Sequence, residues 1–175
     1  MHEELIRTIR SVPDFPKQGI VFRDITTLLK DRSAFQRASD VLYEHYKDER
    51  VDKVVSIESR GYILGAVLAY RLKAGFVPIR KPGKLPAETI SETYTLEYGT
   101  DTLEIHTDAI HAGERVLVHD DLLATGGTVQ AACRLVERLG GVILGLSFLI
   151  ELDFLNGRSK LGSRDIFSII RYDHE

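Results

Sequence analysis

The segment that most constrains the fold of this chain is residues 116–128, with the sequence VLVHDDLLATGGT. Its apolar beginning at residues 116–118 is typical of a strand inside a parallel sheet. After Thr128, apolar residues recur at helical spacing, namely Val129, Ala132, Cys133, Val136 and Leu139. The segment therefore predicts a strand, a loop and a helix in succession, which is the repeating unit of α/β proteins.

The loop in this segment has the composition of an anion site. Backbone N–H groups at the start of a helix point outward, with the positive end of the helix dipole behind them. Gly126 and Gly127 let the backbone approach a ligand closely, and Thr125 and Thr128 add hydroxyl donors. We predict that this phosphate loop, residues 124–128, surrounds a phosphate monoester with Ala124, Thr125, Gly126, Gly127 and Thr128.

An acidic pair, Asp120 and Asp121, lies just before the phosphate loop. Ionised carboxylates accept hydrogen bonds from a vicinal diol but repel a phosphate placed directly against them. A diol followed by a phosphate describes ribose 5-phosphate. The alternative is a purely structural connection, in which the aspartates cap the helix and the glycines turn the chain.

The rest of the chain alternates between predicted strands and helices. Apolar runs predict strands over residues 54–57, 76–79, 142–149 and 166–170, and helices over residues 35–46 and 63–72. A short amphipathic helix is predicted over residues 5–12. This alternation predicts a parallel α/β sheet, with a ligand at the carboxyl ends of its strands.

Charged motifs follow three of these strands, because residues 58–61 (ESRG), the pair Arg80 and Lys81, and the acidic pair each come directly after an apolar run. Their common position favours one shared site over a solvated basic patch. Residues 82–93 contain two prolines, one glycine and few large apolar side chains. We therefore predict an exposed, mobile loop that acts as a lid and leads into an antiparallel hairpin.

Composition limits the other possibilities. A chain of 175 residues with 43% hydrophobic and 28% charged residues predicts one globular domain. Its formal net charge of −3 gives no general attraction to nucleic acid or to an anionic membrane. Residues 142–150 form an apolar stretch about half as long as a membrane span, so we expect a cytoplasmic protein. The single cysteine, Cys133, is expected to be a small core residue.

Several motifs together resemble the type I phosphoribosyltransferases, in that family's order. Residues 116–128 are similar to the family's phosphoribosyl pyrophosphate (PRPP) motif, in the form found in members that act on adenine. The other matching segments are residues 13–16 (PDFP), 19–25 (GIVFRDI), 58–61 (ESRG), 80–86 (RKPGKLP) and 94–99 (YTLEYG). His119 is a departure, because the family usually has an aliphatic residue there.

The resemblance implies a single domain over residues 1–175 with the type I phosphoribosyltransferase fold. Its α/β core, a parallel sheet flanked by helices, would cover about residues 35–175 and carry the flexible loop at residues 82–93. A small hood that covers the base would be formed by about residues 1–34. The resemblance also implies a homodimer.

The implied reaction transfers the 5-phosphoribosyl group of PRPP to N9 of adenine and yields AMP and pyrophosphate, as in purine salvage. Mg²⁺ is expected to bind mainly through PRPP and pyrophosphate, because the chain has no metal-ligand motif of its own. Two alternatives remain open: an enzyme for 6-oxopurines, and a regulator that senses PRPP without catalysis.

The resemblance also implies a role for each site residue. Glu97 would handle a proton of the purine ring, and Tyr98 would help to close the site. The pyrophosphate would be held by Arg60, Arg80, Lys81 and Lys84, and the ribose by Asp120 and Asp121. Phe22 and Leu122 would sandwich the adenine ring, while the backbone at Val21 and Arg23 would read its amino edge. Without the resemblance, Phe22 would be assigned to the core and Glu97 to an exposed strand.

Overall fold

The computed structural model describes residues 3–95 and 99–174. Its helices are α1 (Glu3–Ile6), α2 (Thr26–Lys30), α3 (Arg32–Tyr46), α4 (Gly61–Leu72) and α5 (Gly127–Arg138). Its strands are β1 (Arg10–Val12), β2 (Phe22–Asp24), β3 (Lys53–Ile57), β4 (Gly75–Ile79), β5 (Thr89–Thr95), β6 (Thr100–His106), β7 (Arg115–Leu123), β8 (Val142–Leu152) and β9 (Ile166–Tyr172). Two 3₁₀ turns, Asp153–Leu155 and Gly157–Lys160, connect β8 to β9.

A five-stranded parallel sheet with the order β4-β3-β7-β8-β9 forms the centre of the molecule. Because successive side chains of a strand point to opposite faces, β7 supplies both layers of the core. Val116 and Val118 pack on the side of α5, whereas Leu117 packs with residues of α3 and α4. The sheet is covered on both faces, which confirms the predicted α/β class and its continuous apolar strands.

The amino-terminal region differs from its prediction. Only Glu3–Ile6 is α-helical, and Arg10–Val12 forms a strand that pairs antiparallel with Phe22–Asp24. Arg10 also donates from Nε to Asp24 Oδ2 at 3.0 Å. The prediction of a helix over residues 5–12 was wrong beyond Ile6, because pairing with a distant strand outweighs local helical periodicity there.

The predicted loop at residues 82–93 is shorter in the structure. Irregular backbone ends at Glu88, and residues 89–95 form β5. This strand pairs with β6 along its whole length, from Thr89 opposite His106 to Thr95 opposite Thr100. The antiparallel hairpin is therefore confirmed, while residues 89–93 belong to the hairpin and not to the loop.

Cys133 is buried in the core beside α5, as expected. Burial raises the pKa of its thiol to about 11. Among the described residues, none of the helices combines the length and the apolar composition that crossing a membrane requires.

Candidate active site

A cleft of about 570 Å³ opens at the carboxyl ends of β3 and β7, with the β5–β6 hairpin beside it. The predicted site residues that line it are Arg60, Lys81, Asp120, Asp121, Leu122, Ala124 and Thr128. Two grooves of about 510 Å³ lie elsewhere along α3. The cleft is the candidate site because ligands of parallel α/β sheets bind at the carboxyl ends of the strands.

The phosphate loop connects β7 to α5 in a conformation that needs glycine. Gly126 has a φ of +79°, and a Cβ atom added to it would lie 2.5 Å from the carbonyl oxygen of Gly157. Gln130 N donates to Gly126 O at 2.9 Å, which begins the hydrogen bonding of α5. The N–H groups before Gln130 therefore have no acceptor within the helix, which leaves them available to an anion.

The acidic pair is buried at the end of β7. Asp121 Oδ2 lies 2.7 Å from Arg60 Nε, and Asp120 Oδ1 accepts from the backbone N of Asp121 at 2.9 Å. Burial raises the pKa of both carboxyls; the charge of Asp121 raises that of Asp120 further, whereas Arg60 opposes the rise at Asp121. Both carboxyls line the cleft, where their oxygens can accept hydrogen bonds from a ligand.

The cations in and beside the cleft are paired with carboxylates. Arg60 pairs with Asp121, and Arg80 Nε donates to Glu58 Oε2 at 3.0 Å. Lys81 Nζ donates to Asp101, while its backbone N donates to Glu58 Oε1 at 2.5 Å. An anion that enters the cleft must therefore compete with internal carboxylates for these three side chains.

Lys84 is the predicted pyrophosphate residue that the structure places away from the cleft. Its side chain is exposed on the loop before β5, and its carbonyl oxygen accepts from Arg80 Nη1 at 3.2 Å. The structure thus brings Arg60 and Lys81 into the cleft and holds Arg80 beside it, with Lys84 on the adjoining loop.

The residues predicted to hold a base lie at the junction of hood and core. The Arg60 guanidinium stands 5.1 Å from the centre of the Phe22 ring, which also meets Phe15 edge-on at 5.2 Å. Phe22 is half-buried and belongs to neither core cluster, so its assignment to the core was wrong. Leu122 lines the cleft itself.

Val21 and Arg23 flank Phe22 in the hood. Arg23 stacks on the ring of Tyr172 at 4.1 Å and donates from Nη1 to Ser11 Oγ at 2.5 Å. The side chain of Arg23 is therefore engaged within the protein.

Glu97 and Tyr98 lie outside the described residues. The preceding strand does approach the phosphate loop, since the carbonyl oxygen of Thr95 would lie 3.4 Å from a Cβ atom added to Gly127. Both assignments stay predictions.

His119 lies within the sheet and does not line the cleft. Its Nδ1 is 2.8 Å from Ser147 Oγ, whereas Nε2 has no hydrogen-bond partner among the described residues. Burial lowers the pKa of the imidazole to about 4, so the ring is neutral at physiological pH. These contacts are those of a structural histidine.

Sequence reasoning placed Glu58 in the motif at residues 58–61 without giving it a role, and it missed two other participants in this site. Glu58 and Asp101 neutralise predicted anion-binding cations, and Gly157 packs against the phosphate loop. The peptide bond between Glu58 and Ser59 is cis. No local pattern signals any of these features, because each depends on which distant segments meet in the fold.

The fold and cleft define a class of protein, the phosphoribosyltransferases. Residues 24–166 match the family model of the phosphoribosyl transferase domain. The adenine phosphoribosyltransferase of Geobacter metallireducens is 60% identical over 170 residues, which cover 97% of this chain and 99% of that protein. With that identity over nearly the whole length, this chain belongs to the adenine phosphoribosyltransferases within the type I phosphoribosyltransferase family.

Solved structures agree with this assignment. Adenine phosphoribosyltransferase from Thermoanaerobacter pseudethanolicus has a TM-score of 0.95 at 55% identity, covering 97% of this chain and 99% of that one. The Saccharomyces cerevisiae enzyme has a TM-score of 0.89 at 43% identity, covering 95% and 96%. That enzyme was crystallised with adenine and an imino-altritol bisphosphate.

Proposed function

We propose that this protein transfers the 5-phosphoribosyl group of PRPP to N9 of adenine, yielding AMP and pyrophosphate in purine salvage. The observation that carries the proposal is the cleft itself, which is lined by the acidic pair, by Ala124 and Thr128 of the phosphate loop, and by the paired cations Arg60 and Lys81. PRPP has this order of groups: a phosphate, a ribose diol and a pyrophosphate. The adenine phosphoribosyltransferase relatives supply the identity of the base.

In this proposal the 5-phosphate binds the phosphate loop, and the ribose hydroxyls donate to Asp120 and Asp121. The pyrophosphate binds Arg60, Arg80 and Lys81, and Lys84 joins them from its exposed loop. Each of the first three cations exchanges a carboxylate for phosphate oxygens, so the pyrophosphate competes for them with Asp121, Glu58 and Asp101. Charge-assisted hydrogen bonds to the pyrophosphate then strengthen as the leaving group becomes more negative.

The reaction breaks the bond from ribose C1 to the pyrophosphate oxygen, and the bonding electrons leave with pyrophosphate. Adenine N9 forms the new bond to C1, and we assign its departing proton to the carboxylate of Glu97. Holding both reactants in the cleft supplies as much as about 7–11 kcal/mol of the barrier through proximity.

We propose that Mg²⁺ accompanies PRPP. Among residues 3–95 and 99–174, no group of three or more His, Cys, Asp or Glu side chains is placed to hold a metal ion. The acidic pair nevertheless fits Mg²⁺, which is commonly bound by one or two carboxylates together with substrate phosphates. When bound, Mg²⁺ neutralises phosphate charge, while Arg60 and Lys81 orient the same group.

For the base, we propose that Phe22 and Leu122 enclose the adenine ring from the hood and from the core. The backbone groups at Val21 and Arg23 then face its amino edge. Stacking between apolar side chains does not distinguish purines, whereas a backbone carbonyl accepts from an amino group and not from a ring carbonyl. This difference favours adenine over hypoxanthine.

We also propose a homodimer formed through α4. Ile63, Ala66, Val67 and Tyr70 make an outward apolar stripe on this helix, in which the Tyr70 ring is 85% exposed. A contiguous patch of exposed apolar side chains marks a surface that binds another molecule more often than a surface that stays in contact with water. Because α4 begins directly after Arg60, a partner seated there would adjoin the cleft.

The test is release of pyrophosphate from PRPP with adenine, hypoxanthine, guanine or no base, with and without Mg²⁺. We expect release with adenine alone, and only with Mg²⁺. Release with hypoxanthine instead would make this a 6-oxopurine enzyme, and PRPP binding without release for any base would make it a sensor.

The matching variant is Glu97→Gln, which keeps size and removes the proton acceptor. We expect kcat to fall roughly 10²- to 10⁴-fold, the usual contribution of general acid–base catalysis. Glu92→Gln is the control, because Glu92 lies on the same hairpin and pairs with Arg134 and Arg138 outside the cleft. An unchanged kcat in Glu97→Gln would remove Glu97 from the mechanism.

A further inference from the structure

Glu151 is a buried carboxylate that the proposed reaction does not use. It lies near the end of β8 with 2% of its surface exposed. Arg158 donates to both of its oxygens, from Nε at 2.5 Å and from Nη2 at 2.7 Å, and Ser168 Oγ donates at 2.6 Å. Burial opposes ionisation, but the hydrogen bonds from Arg158 and Ser168 outweigh it and hold the pKa of Glu151 below its usual value.

Arg158 belongs to the 157–160 turn, which packs directly on the phosphate loop. A Cβ atom added to Gly157 would lie 2.2 Å from the carbonyl oxygen of Ala124, and one added to Gly126 would lie 2.5 Å from the carbonyl oxygen of Gly157. The backbone of the 157–160 turn therefore lies directly against the backbone of the phosphate loop, with no side chain between them. The position of the 157–160 turn therefore limits the positions open to the phosphate loop.

The same turn is tied to the two elements that flank the phosphate loop. Gln130 in the first turn of α5 donates from Nε2 to Lys160 O at 2.9 Å. On the other side, Glu151 is the register partner of Leu123, the last residue of β7. The Glu151–Arg158 pair thus fixes the turn to the sheet at the strand position that immediately precedes Ala124.

An ion pair with one buried partner is weak support for stability, because removing the buried charge from water costs about as much as the attraction returns. Its bidentate geometry, however, fixes orientation as well as distance. We propose that Glu151 is a positioning residue: through Arg158 it holds the 157–160 turn against the phosphate loop, so that the N–H groups of that loop are presented to a phosphate monoester. This inference rests on the proposed function, which assigns the 5-phosphate to the loop.

The proposal predicts a selective defect. In Glu151→Gln, the bidentate pairing is lost and the turn is no longer fixed, so affinity for ribose 5-phosphate falls about tenfold or more. Affinity for pyrophosphate, which is assigned to Arg60, Arg80 and Lys81, is unchanged. In turnover, KM for PRPP rises while kcat and KM for adenine stay within about twofold, because the reacting atoms are untouched.

The experiment is calorimetric titration of the full-length protein with ribose 5-phosphate and, separately, with pyrophosphate and Mg²⁺. Glu137→Gln is the matched control, since its carboxylate pairs with Arg164 near the far end of α5 and is partly exposed. Arg158→Lys keeps the charge and loses the bidentate geometry, so it reproduces the defect. Gly157→Ala reproduces it through steric contact with Ala124, with the ion pair intact.

The titrations distinguish a failure of the role proposed for Glu151 from a failure of the proposed function on which that role rests. If the wild-type protein does not bind ribose 5-phosphate, the proposed function fails. If it binds, and Glu151→Gln binds it equally well, the inference is overturned. An equal loss of affinity for both ligands in Glu151→Gln also overturns it, because that result indicates general destabilisation of the protein. Should Glu151→Gln fail to fold, the same comparison in Arg158→Lys decides.

Discussion

Two side chains of β7 reveal how individual residues are adapted to the site. Asp120 and Asp121 are buried carboxylates whose pKa values are raised, chiefly by burial. For such acids the sign of the pH dependence of stability is fixed. Ionisation costs more in the folded state than in the unfolded state, so the free energy of unfolding falls as pH rises through the folded pKa values. Ionisation of either carboxyl therefore costs stability, which is typical of groups kept for binding.

We predict that Asp120→Asn raises stability and weakens binding together. The variant removes a buried carboxyl whose ionisation the fold opposes, so its midpoint of urea unfolding at pH 7.5 is higher than that of the wild type. KM for PRPP rises roughly tenfold or more, because a charged acceptor for a ribose hydroxyl is lost. Asp48→Asn, at an exposed position after α3, is the control and changes neither quantity. A less stable Asp120→Asn variant would contradict this account.

His119 gives a pH prediction of opposite sign to that of the acidic pair. Its folded pKa of about 4 lies below the value of about 6.5 expected in the unfolded chain. The unfolded state therefore gains the proton first, and stability is lost as pH falls from about 6.5 towards 4. Between pH 7.5 and pH 5 this residue accounts for a loss of about 2 kcal/mol in the free energy of unfolding.

The measurement is urea unfolding of the wild type and of His119→Leu at both pH values. The leucine variant lacks the titrating group, so its loss over this interval is smaller by about 2 kcal/mol. Equal losses in the two proteins would show that the imidazole is protonated in the fold.

Helices and strands were predictable where their signal was local. The apolar runs of β3, β4, β7, β8 and β9 predicted the parallel sheet, because strands buried on both faces are continuous in their hydrophobicity. The prediction for the amino-terminal segment was wrong, because β1 forms through its pairing with β2 and not from a local signal. The start of β5 at Thr89 is likewise determined by pairing with the partner strand β6, because the β-branched residues at 89, 90 and 93 do not by themselves separate a strand from the preceding loop.

The exposed face of helix α4 predicts the oligomeric state. Its inner residues, such as Leu64 and Leu68, are buried against the sheet, while Tyr70 on the opposite side is 85% exposed. We predict that the wild type sediments as a dimer at micromolar concentration and that Tyr70→Glu shifts it towards monomer, because a charge in an apolar interface is costly.

The control for this prediction is Tyr43→Glu, on neighbouring α3. Tyr43 is half-buried and stacks with Arg71, so its substitution tests general damage to the helical layer. A wild type that sediments as a monomer would contradict the dimer, as would a Tyr70→Glu variant that stays dimeric.

In the whole molecule, the candidate site combines local motifs with contacts that only the fold creates. Asp120, Asp121 and the phosphate loop were predictable because they are contiguous in sequence and lie at the end of one strand. Arg60 and Lys81 were placed correctly because parallel strands bring their carboxyl ends to one edge. The carboxylate partners Glu58 and Asp101, and the packing of Gly157 on Gly126, depend on side-chain and backbone contacts between remote segments.

The central claim is that one cleft holds the three groups of PRPP in a fixed order, and a crystal structure with ribose 5-phosphate tests it most directly. The account predicts the phosphate within hydrogen-bond distance of N–H groups of residues 125–128, with ribose hydroxyls on the carboxylates of Asp120 and Asp121. A phosphate seated instead on Arg60 and Lys81, with the phosphate loop empty, would contradict it.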